Sequence, residues 1–330
     1  MVKRFFLFFL VITMPVVCSM AFGQAQPPDG KITVFTAIAP YAYFIEQIGG
    51  SGVRAETLVG PGKDPHSFEP TPSQISALRS AKVYFKVGMP FEEKLVEKMS
   101  SLFPNLKIVD LTRGIRLREM EAENEKFEHG GHSHKHVEKS QGHNSRKTAS
   151  SSNKSHEEPA DDDHDHDHGA LDPHVWLSLK NVRIISSNIT ETLSEIAPSQ
   201  AEEFKRNDQI FQGRLVELDS LIRDTLTHIK GKNIYVYHPA FGYFADDYDL
   251  KQIAVEIQGK EPTARQLARL IDSAKKKHVR VIFVAPQFSQ KGAETVAKGI
   301  GGVVVEIDPL SRDYLSNMRE MADRISAGIR

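Results

Sequence analysis

A chain of 330 residues with a formal net charge of −1 and 40% hydrophobic residues is long enough for one large or two medium packed domains. The near-neutral balance gives no electrostatic basis for nucleic-acid binding, and no basic stretch interleaved with aromatics argues otherwise. The single cysteine, Cys18, falls within the first segment, so any transition-metal site in the rest of the chain must use His, Asp and Glu.

Lys3 and Arg4 precede an apolar run from Phe5 to Val17, too short for a transmembrane helix, and Ala21-Phe22-Gly23 supplies a small-x-small cleavage pattern. Residues 1–23 are therefore expected to be a secretory signal peptide that directs the chain to the periplasm. Val17 before Cys18 argues against lipid attachment there.

Residues 31–197 read as an N-terminal α/β lobe. Strands are expected at Lys31–Thr36, Ala55–Val59, Lys82–Val87 and Lys107–Leu111, alternating with helices at Pro40–Ile48, Thr71–Ser80 and Phe91–Leu102. Thr71 followed by Pro72 is an N-cap and first-turn pair. The pattern breaks at 119–169, a polar, His-rich stretch too poor in apolar residues to order itself, and resumes with a helix over Asn181–Ile196. Residues 198–230 read as one long amphipathic linking helix of about 45 Å. Residues 231–330 repeat the alternation as a C-terminal lobe. Its strands are expected at Asn233–Tyr237, Lys251–Val255, Arg280–Val284 and Val303–Ile307, and its helices at Ala240–Tyr248, Thr263–Lys277, Gly292–Gly299 and Tyr314–Ile329. The expected fold class is α/β: two lobes, each with a mostly parallel sheet of about four strands, joined by a rigid helix.

Of 14 histidines, nine lie in the polar stretch: His129, His132, His134, His136, His143, His156, His164, His166 and His168. The alternation in His132–His136 and His164–His168 suits auxiliary metal binding, weaker than a framework site because ordering flexible chain costs about 1–2 kcal/mol per residue. Of the others, His228 and His278 read as surface residues. His66 and His238 follow strands, where open parallel sheets bind ligands, and His174 stands where the polar stretch rejoins the framework. A proline adjoins each of the three (Pro65, Pro173, Pro239) and fixes the local backbone. Asp308, at the end of the last strand and before Pro309, is a weaker candidate; alone it reads as a turn-initiating residue.

The runs Asp64–Gln74, Leu171–Leu177, Tyr237–Phe244, Gly259–Arg265 and Ile307–Pro309 resemble the zinc and manganese solute-binding proteins of ABC importers, over nearly all of the chain after Lys31. The resemblance implies one metal between the lobes held by His66, His174, His238 and Asp308, delivery to an ABC importer membrane permease, and a monomer. Three imidazoles and a carboxylate favour Zn2+ over manganese, although copper and nickel also accept imidazole. Manganese members of the family carry Glu where this chain has His238. Two other readings remain at this point: a secreted zinc hydrolase with a three-His site and an open fourth position, and an adhesin with structural zinc. No His-Glu-x-x-His motif supports the first. Binding needs deprotonated histidine, so affinity is expected to fall below about pH 6.5.

Overall fold

The computed structural model describes residues 30–120, 171–256 and 262–329. The signal-peptide reading and the histidines from His129 to His168 lie outside the described residues.

The first sheet is four-stranded and parallel, in the order β2-β1-β3-β4, from β1 (Ile32–Thr36), β2 (Val53–Thr57), β3 (Val83–Lys86) and β4 (Lys107–Asp110). The second repeats the topology as β6-β5-β7-β8, from β5 (Asn233–Val236), β6 (Lys251–Ala254), β7 (Val281–Val284) and β8 (Val303–Glu306). The central strands β1 and β7 are almost wholly buried, which is why they read as continuous apolar runs rather than alternating ones.

The connecting helices are α1 (Ala39–Gly49), α2 (Pro72–Ala77) and α3 (Glu92–Leu102) in the first half, with α6 (Gly242–Asp247), α7 (Ala264–Lys276), α8 (Gln290–Ile300) and α9 (Tyr314–Gly328) in the second. Thr71 and Thr263 each close a reciprocal capping box, with Gln74 and Gln266 three residues on. Between the halves run α4 (Leu179–Ile196) and the long α5 (Ala201–Leu226), which ends in a 3-10 turn at Thr227–Ile229.

Helix α5 packs on α1 and α4 from one side and on α9 from the other, burying Phe204, Phe211, Leu215, Leu218, Ile222 and Leu226. The consequence is a single apolar core that runs from Val34 and Phe44 in the first half, through the α5 stripe, to Phe244, Phe283 and Met318 in the second. A wide hinge swing would expose this shared surface at about 25 cal/mol per Å². The shared core therefore opposes a wide separation of the two halves. Among the described residues, no helix is long and apolar enough to cross a membrane.

Candidate metal centre

His66 lies in the loop after β2, and His238 stands two residues beyond β5. His174 immediately precedes a 3-10 turn (Val175–Leu177) that leads into α4. These three positions, 108 and 172 residues apart along the chain, converge. His66 Nε2 lies 3.1 Å from His174 Nε2 and 3.2 Å from His238 Nε2. Among the described residues, they are the group of three His or acidic residues whose ligand atoms all lie within 4.8 Å of one another. Nitrogen ligands about 2.0–2.1 Å from a tetrahedral ion stand about 3.3–3.4 Å apart, close to the two separations from His66.

The opposite edges of two of the rings are fixed by carboxylates. His174 Nδ1 is 2.8 Å from Asp172 Oδ1, and His238 Nδ1 is 2.7 Å from Glu256 Oε2. An ionised carboxylate only accepts, so each Nδ1 carries the proton and each Nε2 presents its lone pair to the centre. Asp172, His174, His238 and Glu256 are all buried, and the His238 ring stacks on Phe288 at 4.1 Å between centroids.

Burial holds His66 neutral, with the nearby His174 and His238 adding to the effect; together they lower its pKa from 6.5 to about 2. Burial also lowers the pKa of His238, against an opposing pull from Glu256. The expected loss of affinity below about pH 6.5 is thus not carried by His66.

Local backbone chemistry explains how these rings are placed. In Asp64-Pro65-His66 the His66 N–H donates to Asp64 Oδ1 at 2.9 Å; in Asp172-Pro173-His174 the His174 N–H donates to Asp172 Oδ1 at 3.0 Å. Each Asp thus closes a turn that carries a histidine two residues on. Asp308-Pro309-Leu310 makes the same turn, with the Leu310 N–H on Asp308 Oδ1 at 2.9 Å.

Asp308 is not brought into the histidine group. Its Oδ1 also accepts from Gln287 Nε2 at 2.8 Å, and the residue lines a cavity of about 330 Å³ between the loops after β2 and β8. Its turn-forming role, one of the two readings open from sequence, is the one this geometry displays. His228 and His278 are exposed and lie apart from the centre, lining a surface cavity with Lys232 and Arg280.

Sequence reasoning missed Asp172, Glu256 and Phe288 as supports of the ligands. Asp172 was readable, because Asp-Pro-His occurs twice. Glu256 needs the strand register: Val236 pairs with Ala254, so His238 and Glu256, each two residues further on, stand opposite one another.

Comparison with known proteins gives the family of the chain. The family described as "Zinc-uptake complex component A periplasmic" matches residues 34–328. The chain belongs to this family. A solved structure described as "Crystal structure of ZnuA" is 31% identical, covers 91% of this chain and 100% of its own, and superimposes with a TM-score of 0.74. The zinc-binding protein AdcA of Streptococcus pyogenes is 29% identical over 312 residues, which is 88% of this chain and 55% of AdcA. The chain thus spans about half the length of these AdcA relatives. The high-affinity zinc uptake system protein ZnuA of Bacillus subtilis is 28% identical over 321 residues, 92% of this chain and 89% of that protein.

Proposed function

We propose that this protein is an extracytoplasmic carrier that captures zinc with His66, His174 and His238 and hands it to the membrane permease of an ABC importer. The observation that carries the reading is the convergence of three imidazole Nε2 atoms, two of them in rings oriented by buried carboxylates. An all-imidazole face with a protonated Nδ1 behind it suits zinc better than manganese, which prefers oxygen. Similarity to the relatives named for zinc uptake points the same way. His66 comes from the first half of the chain and His238 from the second, so one ion ties both together.

Asp308 remains the proposed fourth ligand. To reach the ion it must shift towards the histidines, and its Oδ1 hydrogen bond to Gln287, worth about 1.5–3 kcal/mol, opposes that shift. We place residues 1–23 as the signal peptide and His129, His132, His134, His136, His164, His166 and His168 as auxiliary ligands of lower affinity. The carrier acts as a monomer, because His66, His174 and His238 all come from one chain and the site calls for no second copy.

The test is metal analysis and competition titration of the mature protein with 119–169 deleted. One tightly held zinc per chain is expected. Equal affinity in the His66→Ala, His174→Ala and His238→Ala variants would sink the assignment.

A further inference from the structure

Behind His174 the carboxylate of Asp172 is shared. Its Oδ1 accepts both the Nδ1–H and the backbone N–H of His174, while its Oδ2 lies 3.3 Å from Nη1 of Arg118. Asp172 is 1% exposed and the Arg118 side chain 17%, so this ion pair is poorly screened by water. The guanidinium is held from the other half of the molecule as well. Arg118 Nε lies 3.2 Å from Asp246, its charge faces the Tyr243 ring at 5.8 Å, and the Tyr243 hydroxyl accepts from the Arg118 N–H while donating to the Asp172 carbonyl.

Gly242 makes room for this contact. A Cβ at that position would lie 1.2 Å from Arg118 Nη1 and 2.9 Å from Asp172 Oδ2. Its backbone φ does not fall in the region that demands glycine. Space for the guanidinium therefore accounts for the residue where backbone strain does not. The Asp172 N–H also donates to the Arg118 carbonyl at 2.9 Å, next to the antiparallel bridge of Glu119 and Leu171. The two residues paired next to that bridge are thus the two that stand behind a metal ligand.

We propose that Arg118, seated in the notch left by Gly242, sets how tightly and how long His174 holds the ion by drawing charge away from the Asp172 carboxylate. This rests on the carrier reading above and names the residue that keeps capture reversible. A carboxylate behind an imidazole strengthens its Nε2 as a donor. A guanidinium on the second oxygen weakens that effect and offsets the negative charge behind the ligand. Arg118 acts through the Asp172 carboxylate rather than as a ligand, so it is a positioning residue. A carrier must give up its cargo, and this cation moderates one of three otherwise strong donors.

The experiment measures zinc affinity and the dissociation rate into excess chelator for the full mature chain and its R118Q, R118K, G242A, D172N and R118Q/D172N variants. Cobalt visible spectra report whether each site stays tetrahedral. R118Q and G242A should bind about tenfold more tightly and release more slowly, with R118K returning towards wild type. D172N should weaken binding about 10–100-fold, and adding R118Q to it should change nothing further. An R118Q variant with unchanged or weaker binding overturns the proposal, as does an R118Q effect that persists in the D172N background. Wild-type protein without a one-to-one zinc site would instead remove the carrier reading, and this inference with it.

Discussion

Burial of His66 makes the metal-free protein acid-sensitive in a way that can be assigned to one residue. The perturbation is a fall in pH from about 7 to about 5 on chelator-treated protein. His66 titrates near 6.5 when unfolded, but the folded protein holds it at about 2 through burial and the facing His174 and His238. The lowered value belongs to the folded state. Below about pH 6.5 the unfolded chain binds a proton that the folded chain refuses, so stability present above that pH is lost as pH falls. Over the interval from about pH 7 to about pH 5 the loss from His66 alone is about 2 kcal/mol. His238, also lowered, adds to it in the same direction. Urea titrations at both pH values measure the difference, and the same titrations on His66→Ala isolate the share of His66. The variant should lose about 2 kcal/mol less than wild type across the interval. Equal losses in the two proteins would refute the view that His66 is kept neutral by burial and by the facing His174 and His238.

Four further outcomes are expected. Replacing any one of His66, His174 or His238 with Ala should weaken zinc binding about a hundred- to a thousand-fold, one ligand's share of the about 10–16 kcal/mol of a four-ligand zinc site, read by competition with a chromogenic chelator. Glu256→Gln keeps an acceptor for His238 Nδ1–H but removes its charge, so affinity should fall about tenfold while cobalt spectra stay tetrahedral. Asp308→Ala should cost less affinity than any of the three histidine variants, because its Oδ1 must first leave Gln287 and Leu310; a loss as large as theirs would place it at the ion from the start. Trp176→Phe removes the 2.8 Å bond from Nε1–H to the Pro309 carbonyl, leaves a buried acceptor unpaired and should destabilise the fold by about 1–3 kcal/mol in urea.

The alternation of apolar strands with capped helices was legible because parallel strands buried on both faces must be continuously apolar, and because capping residues announce helix starts. Thr71 and Thr263 are such caps, and both form. Where the expected bounds miss, local polar chemistry decides. Ala240 was expected to begin a helix, but its N–H bonds back to the His238 carbonyl at 2.8 Å, so His238 sits on a turn and α6 starts at Gly242. Ser289 accepts from the Gly292 N–H and starts α8 at Gln290, two residues before the expected Gly292, a cap the sequence displayed and the periodicity reading passed over. The single core linking both halves was not legible. Periodicity shows that α5 has an apolar stripe, not that α1, α4 and α9 share it.

The same division holds at the site. Three histidines beside prolines mark themselves, because a ligand must sit on a fixed backbone beyond a strand end or at a turn. The carboxylates that orient them do not, because Glu256 reaches His238 only through strand register, and Arg118 reaches Asp172 only through space left by Gly242 on a helix more than 120 residues away. Burying three imidazoles and holding their Nε2 atoms together is unfavourable until a cation bonds to them. That cost has to be met by groups that do not move when the ion leaves. Asp172 and Glu256 fix two rings from behind, and the shared core fixes the two halves that carry them. Pre-organisation of this kind raises affinity by removing the need to order the ligands on binding. On the carrier reading proposed above, release acts on the donors, or on loops such as that of His66, the least buried of the three, rather than on separation of the lobes.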